Sequence, residues 1–123
     1  MRRERRRYER IPIERMVAFS CYHDGEKIPF DHSMGKALNV GKGGLMLKIF
    51  KPMEKGTVLD LEIGINGEIV DAKVEIVNVQ KIPSQEDAYT ASTRFVYNDY
   101  RTYLKMMRLE KLPPFVKKAG NLN

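Results

Sequence analysis

The sequence predicts an antiparallel β-barrel or sandwich of five or six strands, preceded by a basic arm and followed by one helix. Three observations carry this. Apolar and polar residues alternate with a period of two through most of the stretch from residue 11 to residue 96. Asn66-Gly67 stands between two such runs, and a type I′ hairpin turn needs positive φ at both of its central residues. The 3.6-residue period appears once, after residue 98. A chain of 123 residues suits a single domain that buries its own core.

Taken in order, residues 1–10 (MRRERRRYER) hold six Arg and two Glu. The other residues carry 16 basic and 14 acidic groups, so most of the formal excess of +6 is an arm rather than a property of the fold. The first strand starts at Ile11 and Ile13 and continues through Val17, Phe19 and Cys21. His23-Asp24-Gly25 turns the chain, and Asp31-His32-Ser33 reads as polar, turn-like sequence. The glycine turn Gly41 to Gly44, expected to need glycine for positive φ, leads into Leu45, Leu47 and Ile49. After Pro52 to Gly56 comes the clearest strand, with Leu59, Leu61, Ile63 and Ile65 on one face and Asp60, Glu62 and Gly64 on the other. The return strand runs Val70, Ala72, Val74, Ile76, and its apolar phase slips at Val77 and Val79, which predicts a bulge or bend. A last strand spans Tyr89 to Val96 beyond the turn Pro83-Ser84-Gln85. Asn98 is the expected N-cap of a helix whose apolar face is Tyr100, Tyr103, Leu104 and Met107, and Pro113-Pro114 ends it. The expected organisation is an arm over 1–10, a barrel over 11–97, a helix over 98–112 and a tail over 113–123.

Several classes of function are disfavoured. One cysteine forms no internal disulfide, and with two histidines it does not assemble a zinc site, so no metal or other cofactor is expected. Cys21 falls on an inward strand position and reads as a core residue. Asp31-His32-Ser33 is not a catalytic triad, because triad members meet in space rather than along the chain. No glycine loop of the nucleotide-phosphate type precedes a helix, and no catalytic activity is expected. No apolar run approaches the ~20 residues of a bilayer span, and the basic start lacks the apolar stretch of a secretory signal. A reduced, cytoplasmic setting is the expectation.

Two segments stand out. Arg5-Arg6-Arg7-Tyr8-Glu9-Arg10 runs directly into Ile11-Pro12-Ile13, and Asn39-Val40-Gly41-Lys42-Gly43-Gly44 runs directly into the Leu45 strand. In this order and on this strand pattern they resemble the PilZ domain family of bacterial receptors for cyclic di-GMP. That family carries an arginine pair with RxxxR on an N-terminal switch loop, then [D/N]xSxxG on the barrel. Of the three RxxxR registers here, only Arg6 with Arg10 abuts the first strand, which assigns Arg5, Arg6 and Arg10. The second motif falls on Asn39, Gly41 and Gly44. Asp31-His32-Ser33 imitates it, but its next glycine, Gly35, comes one position early. The resemblance covers about residues 5 to 110 and takes in Thr93-Arg94-Phe95. It implies a six-stranded antiparallel, Greek-key-like barrel with a C-terminal helix and a basic arm, and a role in motility or biofilm regulation through a downstream protein partner. Gly41 departs from the family serine. The missing hydroxyl removes one hydrogen bond, about 0.5–1.5 kcal/mol.

The chemistry of these residue types suits that ligand. A guanine edge offers O6 and N7 as paired acceptors that an arginine fork matches. Guanidinium groups stack on purine faces and donate charge-assisted hydrogen bonds to phosphate. Asn39 can accept from a guanine N–H, and glycines let the backbone approach closely. The resemblance implies that the arm folds over the dinucleotide and alters a partner-facing surface. The first alternative is a PilZ-like adaptor that binds a motility or secretion protein without nucleotide, for which the missing serine speaks. The second is a nonspecific nucleic-acid or anionic-lipid binder acting through the arm; without an aromatic stacking array on one strand face, an oligonucleotide-binding barrel is disfavoured, and on the first reading no DNA or RNA is expected.

Overall fold

The computed structural model describes residues 10–97 and 100–111; the expected N-cap Asn98, the side chain of Tyr100 and the tail 113–123 lie outside the described residues. Six strands close into a barrel in the order β1-β2-β3-β6-β5-β4, and every neighbouring pair is antiparallel. β1 (Ile11–Tyr22), β2 (Asp31–Val40) and β3 (Leu45–Ile49) form one meander. The chain then crosses to lay β4 (Val58–Ile65) against β1, and β5 (Glu68–Lys81) and β6 (Tyr89–Phe95) complete a second meander that seals onto β3. A single helix, α1 (Tyr100–Lys111), follows.

Period-two alternation becomes an inward row on each strand. Leu45, Leu47 and Ile49 of β3, Leu59, Leu61, Ile63 and Ile65 of β4, and Val70, Val74 and Ile76 of β5 are fully buried in one core. Each such side chain contributes roughly 1.5–3 kcal/mol on leaving water. Asn66 and Gly67 take φ of 49° and 84°, as the β4–β5 turn requires. The phase slip is a true bulge: the β5–β6 register shifts between Ile76 and Asn78, and Val77 faces solvent. A second irregularity interrupts the β1–β2 register between Pro12 and Arg15, where Glu14 adopts φ of 44°.

Two expectations need correction. Asp31-His32-Ser33 is not a turn but the start of β2, paired with Cys21, Ser20 and Phe19. The strand was hidden because two of its inward positions hold Gly35 and Ala37 rather than large apolar residues. A Cβ at Gly35 would lie 2.4 Å from the Lys48 carbonyl oxygen and 3.4 Å from the Phe19 ring, so packing admits only hydrogen there. The helix presents a different face as well. Tyr103, Met106 and Leu109 are buried together with Thr102, whereas Leu104 is exposed and Met107 only partly covered. Arg15 on β1 fixes this orientation by donating from Nε and Nη2 to the two carboxylate oxygens of Glu110, both at 3.0 Å. The side-chain amide of Asn66 also donates to the Leu109 carbonyl.

Candidate functional site

The two motifs that the sequence sets far apart meet at one end of the barrel. Ile11 pairs with Val40 and Pro12 with Asn39, so the start of β1 lies beside the end of β2. Arg10 Nε donates to Asn39 Oδ1 at 2.8 Å across 29 residues of sequence. The rest of the side chain crosses Gly41: a Cβ built there would lie 2.9 Å from Arg10 Nη1 and 3.4 Å from its Cγ. Arg10, Asn39 and Gly41 thus form one contact, and glycine at 41 is what leaves the guanidinium room. Arg5 and Arg6 lie outside the described residues.

Gly44 does a different job. The glycines at 41, 43 and 44 do not adopt positive φ, contrary to expectation; among the described glycines Gly25, Gly56 and Gly67 do. Close approach is the reason instead. A Cβ at Gly44 would sit 2.0 Å from the Thr93 carbonyl oxygen and 2.7 Å from the Arg94 Cα. The turn closes on itself through Gly41 N–H donating to the Gly44 carbonyl at 2.9 Å. It is strapped to β6 by Phe95 N–H donating to the Gly43 carbonyl at 2.8 Å. The buried Thr93 hydroxyl accepts from Leu45 N–H at 3.2 Å and donates to the Leu45 carbonyl at 3.0 Å. Thr93-Arg94-Phe95, placed in the sequence only by resemblance, is therefore the backing of the glycine turn. Arg94 itself reaches Glu75 on β5, with Nη2 2.7 Å from the carboxylate.

The imitation motif occupies the opposite pole. Asp31 begins β2, about 25 Å of strand away from Asn39. The Lys51 ammonium bonds its carboxylate and holds it below the usual carboxylate range. Cys21 lies nearby, buried; desolvation, reinforced by the Asp31 charge, pushes its thiol up to about 11. His32 shares a 3.0 Å hydrogen bond with Ser20 on the outer face of the sheet. Among the described residues no group of three or more His, Cys, Asp or Glu could hold a metal ion, and no helix is long and apolar enough to cross a membrane.

No family model and no curated protein matches the chain. Solved structures do. The barrel is similar to the PilZ domain of YcgR from Escherichia coli, solved with c-di-GMP: TM-score 0.61, 16% identity, over 96% of this chain and 95% of that one. The fold is PilZ-like. It is also similar to the Bacillus subtilis inhibitor of motility MotI/DgrA, with TM-score 0.62 and 17% identity over 92% of this chain and 56% of that one. A third neighbour is the MrkH–c-di-GMP complex of K. pneumonia, with TM-score 0.58 and 17% identity over 85% of this chain and 51% of that one. The PilZ-like chain therefore spans about half the length of MotI/DgrA and MrkH.

Proposed function

We propose that this PilZ-like barrel is a receptor for cyclic di-GMP, bound at the rim formed by Arg10, Asn39 and the turn Gly41 to Gly44. The observation that carries the reading is the Arg10–Asn39 hydrogen bond laid over Gly41, which joins the arginine segment to the glycine motif. Two of the similar structures hold c-di-GMP, which supports the choice of ligand. Arg10 supplies a planar cation for a guanine edge or a phosphate, and Asn39 supplies an amide beside it. Gly44, pressed against the backbone of Thr93 and Arg94, fixes the turn that carries both motif glycines. Arg5 and Arg6 close over the ligand from the arm. Binding transfers the Arg10 guanidinium from Asn39 to the dinucleotide, and the arm orders against the barrel, presenting a new surface to a downstream protein. The role is recognition, without a chemical step.

Calorimetric titration with cyclic di-GMP tests this. The full chain gives saturable binding, and Arg10→Ala and Arg6→Ala each remove most of it. Unchanged affinity in both variants overturns the reading. A nonspecific anion binder would show no preference for cyclic di-GMP over other anions and would lose affinity steeply with salt. One feature favours a second reading, a nucleotide-free adaptor: the hydroxyl absent at Gly41 leaves that space to Arg10. No heat and no thermal shift with cyclic di-GMP supports that alternative.

A further inference from the structure

At the pole opposite Arg10 and Asn39, the tip of the β1–β2 hairpin and the loop between β3 and β4 enclose a cleft of about 530 Å³. That lies within the size range of small-molecule sites. Cys21 and Met53, both packed against the core, make its floor. One wall is an aromatic pair: His23 and Phe30 stack with ring centroids 4.3 Å apart and planes 17° from parallel. Phe30 remains 52% exposed where it lines the cleft, so a second ring entering there finds an uncovered aromatic surface.

Both walls are pinned by backbone hydrogen bonds. Phe30 N–H donates to the Cys21 carbonyl at 2.8 Å, and Glu26 N–H donates to the His23 carbonyl at 3.1 Å. On the other side the Thr57 hydroxyl and the Thr57 N–H both donate to the Glu54 carbonyl, at 2.8 and 3.2 Å. That turn is tied to β5, with Gly56 N–H donating to the Ile76 carbonyl and Ile76 N–H donating to the Thr57 carbonyl. The Lys51 ammonium bonds the Asp31 carboxylate and so bridges the two walls. A cleft held in this way loses little conformational freedom when it is filled.

Charge selects what can enter. Asp31 and Glu54 bring two carboxylates to the lining and Lys51 brings one ammonium. Lys51 is engaged with Asp31, whereas the Glu54 carboxylate has no ion pair among the described residues. The floor registers this balance: after desolvation, the Asp31 carboxylate is the next cause that raises the Cys21 thiol, ahead of the opposing Lys51 ammonium. A cation therefore gains both the Glu54 carboxylate and the negative face of the Phe30 ring. An aromatic body packs on Phe30 and on the Met53 thioether. We infer that this cleft is a second ligand site, which takes a small protonated amine carried on an aromatic ring. It does not rest on the cyclic di-GMP reading, because it lies at the other end of the barrel and shares no residue with the rim.

Amide chemical-shift titration by NMR tests the inference, using the full chain with 2-phenylethylammonium and, separately, with ethylammonium and 3-phenylpropionate. The ring-bearing amine gives saturable shifts at residues 21–31 and 51–57, with a dissociation constant of about 1 mM, and none at Asn39 or Gly41 to Gly44. Ethylammonium lacks the ring and 3-phenylpropionate has the opposite charge; each binds at least about tenfold more weakly. Glu54→Gln and Phe30→Ala each weaken the amine about fivefold. Both side chains are exposed, and circular dichroism melting confirms that both variants fold. No saturable shift at the cleft, binding of either control as tight as that of 2-phenylethylammonium, or an affinity indifferent to both substitutions overturns the inference.

Discussion

Replacing Gly44 by alanine puts the account of the glycine turn at risk. The added methyl would lie 2.0 Å from the Thr93 carbonyl oxygen, 2.7 Å from the Arg94 Cα and 2.8 Å from the Thr93 carbonyl carbon. All three are backbone atoms of a paired strand, so no side chain can swing aside and β3 must part from β6 at this point. Overpacking of this kind costs about 1–3 kcal/mol. Parting also strains the hydrogen bonds from Phe95 to Gly43 and between Thr93 and Leu45, each worth about 1 kcal/mol. Together about 2–4 kcal/mol is at stake, and at roughly 4 °C per kcal/mol for a domain of this size the melting temperature falls by about 8–16 °C. Gly43→Ala is the control, because its Cβ would meet nothing within 4 Å; it stays within about 1 kcal/mol of wild type. Circular dichroism melting of the two variants decides. A Gly44→Ala melt within about 2 °C of wild type would refute the close-approach argument.

Other consequences follow from the same geometry. Gly41→Ser brings a Cβ to 2.9 Å from Arg10 Nη1; the guanidinium is the far end of a flexible side chain, so Arg10 moves, stability changes by less than about 1 kcal/mol, and titration shows cyclic di-GMP affinity unchanged or higher. A marked loss of binding there would misplace the second motif. Glu110→Ala leaves Arg15 without its bidentate partner in a half-buried setting, costing about 1–2 kcal/mol in urea unfolding and raising amide exchange in α1 ahead of the barrel. Cys21, with its thiol pushed up to about 11 from 9.0, stays unreactive to disulfide reagents at pH 8 until the chain unfolds. Because the unfolded thiol ionises first, stability falls as pH rises from about 9 through about 11, and Cys21→Ala removes that contribution.

Alternation and turn chemistry made most of the barrel readable, because β3 and β4 bury every second residue, β5 buries Val70, Val74 and Ile76 in the same phase, and Asn66-Gly67 has one preferred conformation. The bulge at Val77 announced itself as a slip of phase. β2 did not, since Gly35 is kept small by Phe19 and the β3 backbone, which are its neighbours only in the folded chain, and the inward Ala37 adds little apolar signal. The helix period was legible but its orientation was not: that is set by where the barrel meets Tyr103, Met106 and Leu109 and by Arg15 reaching Glu110. For the site, motif spacing brought Arg10, Asn39 and Gly41 together on paper and the structure joins them. It carried no sign that Gly44 serves a backbone-to-backbone approach or that Gly41 makes room for an arginine.

β4 joins β1 only from Val17 onward, while β2 accompanies β1 from Ile11. The stretch bearing Arg10 is therefore a flap laced along a single seam and kinked at Glu14, with Arg15 riveting its base to the helix. Three separate ties therefore hold it, the β2 ladder, Ile13 in the core and Arg15 at Glu110, whereas β1 beyond Val17 is laced on both sides.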